Sequence, residues 1–89
     1  MPSPSGPNST SRLWLLTRPD CGLCEEFAAA LAAIAPELQL PQVDVIDIDQ
    51  HPELARRHGL DIPVLLWDGV LVCRHHLDRE ELRRLMRQR

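Results

Sequence analysis

Two cysteines, Cys21 and Cys24, are separated by two residues and lie just before an alanine-rich stretch that predicts a helix. Thiols at this spacing can close into a disulfide or bind a metal ion together. A sulfur at the start of a helix also faces backbone N–H groups that have no partner within the helix. The pair therefore indicates either dithiol redox chemistry or metal binding, and the other elements must distinguish the two.

Redox chemistry at this pair depends on which sulfur becomes the thiolate. The helix dipole favours negative charge on Cys21, and Arg18 adds a cation three residues earlier, so we expect this thiol to ionise somewhat more readily than a free one. Cys24, one helical turn later, is expected to be more buried. These positions predict attack by Cys21 on a disulfide and closure by Cys24. Three carboxylates oppose the shift, although solvent screens them: Asp20, Glu25 and Glu26.

The first half of the chain predicts a strand, a helix and a second strand. Residues 13–16 form a short apolar run that ends at a polar loop, as a buried strand does. Residues 25–35 are rich in alanine and place their larger apolar side chains on one helical face, with Pro36 at the predicted end or just beyond it. Residues 42–49 are β-branched and partly alternating, which predicts the second strand. Because a helix joins the two strands, we expect them to be parallel.

The second half predicts a short helix, a hairpin and a final helix. A proline before residues 53–58 and a glycine after them favour a short helix there. Two apolar runs, 64–67 and 70–73, are joined by Asp68-Gly69, a dipeptide favoured in two-residue hairpin turns. Asp78 and Glu81 form a capping-box pattern that predicts the start of the final helix. Leu82, Leu85 and Met86 are the predicted buried stripe of this helix.

Length and composition place these elements in a single α/β domain. The chain has 89 residues, 44% of them hydrophobic, and a net charge of −3 that does not favour nucleic-acid binding. Residues 1–11 are rich in Pro, Ser and Gly and are predicted to be a flexible tail, with the folded domain over residues 12–89. The sequence carries neither a membrane span nor an export signal, so we expect a cytoplasmic location. We also expect a monomer.

Ile62-Pro63-Val64, just ahead of the hairpin, is the second informative segment. Proline inside an apolar strand pattern removes a donor from the sheet, so it either begins the strand in the trans form or adopts the cis form. The residues alone leave both readings open.

The chain resembles the glutaredoxins, which belong to the thioredoxin-fold superfamily. The resemblance rests on the cysteine segment, residues 17–24, and on the Ile-Pro-Val of residues 62–64. It is closer to small bacterial glutaredoxin-like proteins of uncharacterised function and covers residues 12–87. These proteins share three further pieces with the chain, namely a Val-Asp-Ile-Asp strand, a Pro-Glu-Leu helix and a Gly-Leu-x-Ile-Pro-Val segment: residues 45–49, 52–54 and 59–64.

This resemblance implies a thioredoxin-like β-α-β-α-β-β-α fold, with a four-stranded mixed sheet flanked by three helices. It also implies a thiol–disulfide oxidoreductase in which Cys21 is the nucleophile and Cys24 the resolving thiol. Pro63 matches a proline that is cis in the family and packs beside the dithiol. Ile62 would offer backbone hydrogen bonds to a bound peptide or glutathione. Arg18 stands where many glutaredoxins carry a basic residue, so Arg18, Ile62 and Pro63 are the predicted substrate-binding residues.

Two departures from the glutaredoxin pattern concern glutathione. The usual Pro-Tyr between the cysteines is Gly22-Leu23, and Arg74-His75-His76 replaces a Gly-Gly pair that lets the backbone approach glutathione. Gly22-Leu23 lacks the aromatic residue beside the active site, and the side chains of residues 74–76 would crowd the approach of glutathione. We therefore predict no bound cofactor, a disulfide-containing protein as the favoured partner, and glutathione as a disfavoured co-substrate.

Two other functions are compatible with the residues. A thioredoxin-fold protein without turnover could recognise a peptide strand through Ile62 and Pro63. Alternatively, Cys21 and Cys24 could bind zinc or an iron–sulfur cluster together with Cys73 and a neighbouring histidine, although their spacing is not that of a standard metal site.

Overall fold

A computed structural model describes residues 12–88. The predicted N-terminal tail, residues 1–11, lies outside the described residues. Within the described part, none of the helices is long and apolar enough to span a bilayer. The elements follow the predicted order, with an additional 3₁₀ helix after the second strand: β1 (Leu13–Thr17), α1 (Gly22–Leu38), β2 (Val43–Asp47), the 3₁₀ helix (Ile48–Gln50), α2 (Pro52–His58), β3 (Val64–Trp67), β4 (Val70–Arg74) and α3 (Arg79–Gln88).

The strands of residues 12–88 form one mixed sheet in the order β2-β1-β3-β4. β1 and β2 are parallel, as the helical connection between them predicts. β3 is antiparallel to β1, with Val64 opposite Leu16, and β4 is antiparallel to β3. The predicted arrangement of the sheet is therefore confirmed. One consequence is that the last residue of β1 and the first residue of β3 lie at the same end of the sheet. The cysteine segment and Pro63 lie at this end too.

α1 extends three residues beyond the predicted range at each end, and the prediction that Pro36 ends the helix is wrong. Pro36 lies inside the last turn. It lacks an N–H donor, but its carbonyl still accepts a hydrogen bond from Gln39 at 3.3 Å. The helix ends instead at Gln39, whose backbone is left-handed at φ 52°, while the N–H of Leu40 donates to the carbonyl of Ala35 at 3.2 Å. These two bonds form a Schellman motif, so the end of α1 is set by a backbone reversal that the sequence does not mark with glycine.

The β3–β4 hairpin has the predicted two-residue turn. Asp68 and Gly69 both have positive φ, 50° and 86°, which defines the type I′ turn that suits the twist of paired strands. The carboxylate of Asp68 accepts the N–H of Arg12 at 2.9 Å, which ties the turn to the start of β1. Further along the hairpin the register shifts, leaving Val72 as an extra residue in β4.

Helices cover both faces of the sheet. Successive strand side chains point to opposite faces, so β1 contributes Leu15 to one core and Leu16 to the other. Among residues 12–88, the first cluster joins the sheet to α1 and α3: Leu13, Leu15, Phe27, Leu31, Ile34, Leu65, Leu82 and Met86. The second cluster lies on the other face of the sheet, where the 3₁₀ helix and α2 pack against it. Its buried residues are Leu16, Ile48, Val64 and Leu66.

The final helix carries half of the predicted capping box. The carboxylate of Asp78 accepts the N–H of Glu81 at 3.0 Å, as an N-cap does. Glu81 does not return the bond to Asp78, because its carboxylate pairs with Arg84, 2.6 Å from Nη2. Leu82 and Met86 are buried as predicted, whereas Leu85 is only half-buried.

β2 is shorter than predicted. The strand ends at Asp47 because the carboxylate of this residue accepts the N–H of Asp49 at 2.9 Å, which starts the 3₁₀ helix. An aspartate side chain that bonds the backbone N–H two residues later offers the backbone an alternative to the hydrogen bonds of the sheet. The alternating pattern of residues 42–49 therefore continued past the true end of the strand.

Candidate active site

The two cysteines are joined by a disulfide at the junction of β1 and α1. A short turn leaves β1 with Asp20 in the left-handed region at φ 59°, a conformation that aspartate tolerates better than most residues. Cys21 then takes the extended N-cap position of α1. Its Sγ accepts a hydrogen bond from the backbone N–H of Cys24, with 3.1 Å between nitrogen and sulfur. A sulfur thus occupies the position where side-chain oxygens usually cap a helix.

The two cysteines differ in their access to solvent. Cys21 is half-buried, whereas Cys24 has only 3% of its surface exposed. An incoming disulfide can therefore reach Cys21 while Cys24 stays covered behind it. The predicted roles of nucleophile and resolving thiol require this asymmetry.

The Arg18 guanidinium is engaged by a carboxylate and a backbone carbonyl. Its Nε donates to the carboxylate of Asp49 at 2.8 Å, and its Nη1 reaches the carbonyl of Gly59 at 3.5 Å. The guanidinium thus links the end of β1 to the 3₁₀ helix and to the loop that leads to Pro63. The favourable charge that the structure places at Cys21 is the N-terminal end of α1, where Glu25 adds an opposing charge in the first turn.

The loop of residues 59–63 brings Ile62 and Pro63 to the same end of the sheet as the cysteines. Since Val64 lies opposite Leu16, Pro63 falls beside the end of β1. The Ile62–Pro63 peptide bond is cis, Pro63 is buried and Ile62 is half-buried. The carbonyl of Pro63 accepts the N–H of His75 at 2.7 Å. Among residues 12–88, the backbone N–H and carbonyl of Ile62 have no hydrogen-bond partner.

Asp61, which the sequence did not single out, holds this loop against the end of β4. Its carboxylate lies 3.6 Å from Nη1 of Arg74 and 4.0 Å from Nε2 of His75. The register that places Arg74 opposite Val64 brings these side chains together. The strand register is the signal that could have revealed this contact, because it places the last residue of β4 beside the residues that precede β3.

Residues 75–77 lie across a shallow cleft from the first turns of α1. Leu23 forms one side of this cleft, of about 180 Å³, while His75, His76 and Leu77 form the other. His75 has a left-handed backbone with φ 68°. This backbone conformation favours glycine, the residue that glutaredoxins carry in this region. In this chain the position is occupied by histidine.

Cys73 is a half-buried free thiol at the end of β4. Burial raises the pKa of the Cys73 thiol, and the carboxylates of Asp78 and Glu81 raise it further, while a hydrogen bond from the Asp78 backbone lowers it. Across residues 12–88, no three side chains of the metal-binding types come together in a way that could hold an ion. The structure therefore does not bring Cys73 and its neighbouring histidines together with Cys21 and Cys24 as a metal site.

Among solved structures, the chain is similar to protein Ne2328 from Nitrosomonas europaea, with a TM-score of 0.73 and 27% identity over 92% of this chain and 94% of that one. It is also similar to a thioredoxin variant from Halobacterium salinarum, with a TM-score of 0.60 and 25% identity over 89% of this chain and 74% of that one. Thioredoxin from Fasciola hepatica gives a TM-score of 0.59 and 23% identity over 88% and 79%. The fold is therefore thioredoxin-like.

No curated protein sequence matches the chain significantly. Residues 12–87, however, match the glutaredoxin-like domain (DUF836), a range that includes the cysteine pair, the Ile62–Pro63 loop and most of α3. This chain belongs to the glutaredoxin-like domain family.

Proposed function

We propose that this protein is a thiol–disulfide oxidoreductase whose reactive group is the Cys21–Cys24 dithiol. The observation that carries the proposal is the disulfide at the start of α1, with Cys21 half-buried and Cys24 almost fully covered. Membership of the glutaredoxin-like domain family and the thioredoxin-like fold support the same chemistry. A pair that opens and closes here can exchange two electrons with another disulfide.

The reaction begins from the reduced dithiol. The Cys21 thiolate attacks one sulfur of the substrate disulfide, that bond breaks, and the departing thiolate takes a proton from water. The thiol of Cys24 then loses its proton and attacks Sγ of Cys21, which releases the second substrate thiolate. The substrate gains two electrons, the protein becomes the Cys21–Cys24 disulfide, and an external dithiol must reduce it before the next turnover.

The start of α1 favours the charged form of the nucleophile. A thiolate at Cys21 would face the N-terminal end of the helix dipole and the backbone N–H of Cys24, which already donates to this sulfur. Cys24 is only 3% exposed, and burial disfavours the charged form of a thiol. We therefore assign the attack to Cys21 and the closing step to Cys24.

Substrate binding in this proposal uses the backbone of Ile62. Its unpaired N–H and carbonyl can bond an extended segment beside the dithiol, as a strand adds to a sheet edge. Pro63 positions this backbone, while Arg18 supports the loop through Gly59. Glutathione is disfavoured as a co-substrate because imidazoles stand where its approach requires small residues.

Reduction of insulin disulfides by dithiothreitol tests the proposal. We expect catalytic amounts of the wild-type protein to accelerate the reaction over many turnovers, and the Cys21→Ser variant to have no effect above the reagent alone. Cys73→Ser is the matched control and is expected to behave as wild type. Wild-type protein without acceleration would overturn the proposal and favour a binding module. Full activity of Cys21→Ser would overturn the assignment of the Cys21–Cys24 pair as the reactive group.

A further inference from the structure

The loop before Pro63 is held from two sides and exposes an apolar side chain between the two attachments. Arg18 contacts the carbonyl of Gly59, and Asp61 pairs with Arg74. Leu60, which lies between these anchored residues, is 98% exposed. The leucine side chain therefore extends into water from a loop whose position is fixed by its neighbours.

Leu60 also lies next to the backbone that is free to bind a substrate. It precedes Ile62 by two residues, and the N–H and carbonyl of Ile62 have no partner within residues 12–88. An extended segment that pairs with Ile62 would pass over this loop and bring its own side chains within reach of Leu60. Main-chain bonds of this kind supply affinity, whereas side-chain contacts supply specificity.

The charges that touch this loop are already paired, which disfavours a small anionic ligand. Arg18 is bound to Asp49 at 2.8 Å, and Arg74 to Asp61 at 3.6 Å. A ligand with two carboxylates and no apolar side chain, such as glutathione, gains little from a neutralised loop with a leucine at its apex. An apolar side chain, by contrast, removes the leucine surface from water when it binds.

We propose that Leu60 is a specificity-determining residue that contacts an apolar side chain next to the substrate cysteine. The substrate class is then a disulfide in an extended, apolar segment of a protein. This inference rests on the proposed oxidoreductase function, since the contact is made while Cys21 attacks the disulfide. It adds a recognition element that the dithiol itself does not provide.

Val70 provides a matched control. Its side chain is 69% exposed and lies beside the hairpin turn, at the end of the sheet opposite to the cysteines. Val70→Ser and Leu60→Ser each remove one exposed apolar side chain, so neither is expected to disturb the core. Both variants should unfold at the same urea concentration as wild type, which shows that the fold is kept.

The experiment compares reduction of five peptide disulfides that differ in one residue. One peptide has only Ser and Gly around its cysteine, and the other four carry a single Leu at one of the two positions on either side. We expect wild type and Val70→Ser to reduce at least one leucine peptide about three- to tenfold faster, measured as kcat/KM. Leu60→Ser should lose this preference while it reduces the Ser/Gly peptide at the wild-type rate.

Several results would overturn the inference. Wild type that shows no preference for any leucine peptide contradicts it, as does a preference that Leu60→Ser retains or that Val70→Ser also loses. Failure of the oxidoreductase proposal looks different, because wild type would then reduce none of the five peptides.

Discussion

The backbone N–H of His75 donates to the carbonyl of Pro63, with 2.7 Å between nitrogen and oxygen. This bond joins the residue that follows β4 to the proline that precedes β3. His75 makes it from a left-handed backbone conformation, φ 68°. The dithiol side of the molecule thus includes a non-glycine residue at a position where glycine has the lowest conformational energy.

Replacing His75 with glycine should stabilise the protein. The change relieves the left-handed strain, and after subtracting the extra freedom of glycine in the unfolded chain we expect a gain of about 0.5 to 1 kcal/mol in the free energy of unfolding. Urea denaturation measures this gain. His76→Gly is the matched control, because its φ is not positive and it should lose stability instead. A loss of stability in His75→Gly would contradict the expectation.

The same substitution tests why glutathione is disfavoured. Removing the imidazole of His75 opens the cleft opposite Leu23, so we expect His75→Gly to reduce a glutathionylated peptide faster than wild type does. The rate with an ordinary peptide disulfide should change less. Equal effects on both substrates would show that crowding at this position does not discriminate against glutathione.

Arg18 and Asp49 are expected to act as one positioning unit. They form an ion pair at 2.8 Å, with side chains 39% and 51% exposed, so breaking it should cost less than about 1 kcal/mol of stability. Because Arg18 also contacts Gly59, we expect Arg18→Gln and Asp49→Asn to raise KM for peptide disulfides by similar factors with kcat nearly unchanged. A large effect of Arg18→Gln alone would indicate direct contact with the substrate.

A second ion pair serves as the control for this test. Arg12 and Asp44 also lie 2.8 Å apart but are at the other end of β1. Arg12→Gln removes a surface pair of the same type, and we expect KM to stay at the wild-type value. A rise in KM for this variant would mean that the effect of Arg18→Gln reports a general loss of surface charge.

Cys73 should react with iodoacetamide more slowly than a free thiol at neutral pH. Burial raises the pKa of Cys73, so its thiolate forms only at higher pH. The rate of alkylation, measured against pH in Cys21→Ser/Cys24→Ser protein, should therefore rise at a higher pH in the folded protein than in protein unfolded by urea. At a pH between the pKa of Cys73 in the unfolded chain and its higher pKa in the folded protein, the thiol is ionised mainly in the unfolded chain. The free energy of unfolding should therefore fall as pH rises through this range. Identical curves in folded and unfolded protein would contradict this.

The order of elements and the sheet arrangement follow from patterns that act over short distances. The alternating and apolar runs, the Asp68-Gly69 turn and the Asp78 cap each determine the local backbone through the side chains nearby. Predictions were poorer where one local preference competed with another. Pro36 fits within the last turn of a helix that ends at Gln39, and Asp47 stops β2 although the alternation continues.

The cysteine pair was evident from spacing, whereas its surroundings depend on strand pairing. The contact of Asp61 with Arg74 requires the β3–β4 register, and the contact of Arg18 with Asp49 requires the parallel β1–β2 pair. The positive φ at His75 is not evident from the sequence, because glycine is the residue that this conformation most favours. Local patterns therefore predicted the reactive group, but not the side chains that hold the loop beside it.

Trapping of a mixed disulfide distinguishes the roles of Cys21 and Cys24 in the reaction. Reduced Cys24→Ser protein is mixed with a peptide disulfide, and the products are analysed by intact mass and peptide mapping, with Cys21→Ser as the matched control. We expect one peptide bound to Cys21 in the first variant and no comparable adduct in the second, because Cys24 is covered. An adduct on Cys73, or equal trapping by both variants, would contradict the assignment of Cys21 as the nucleophile.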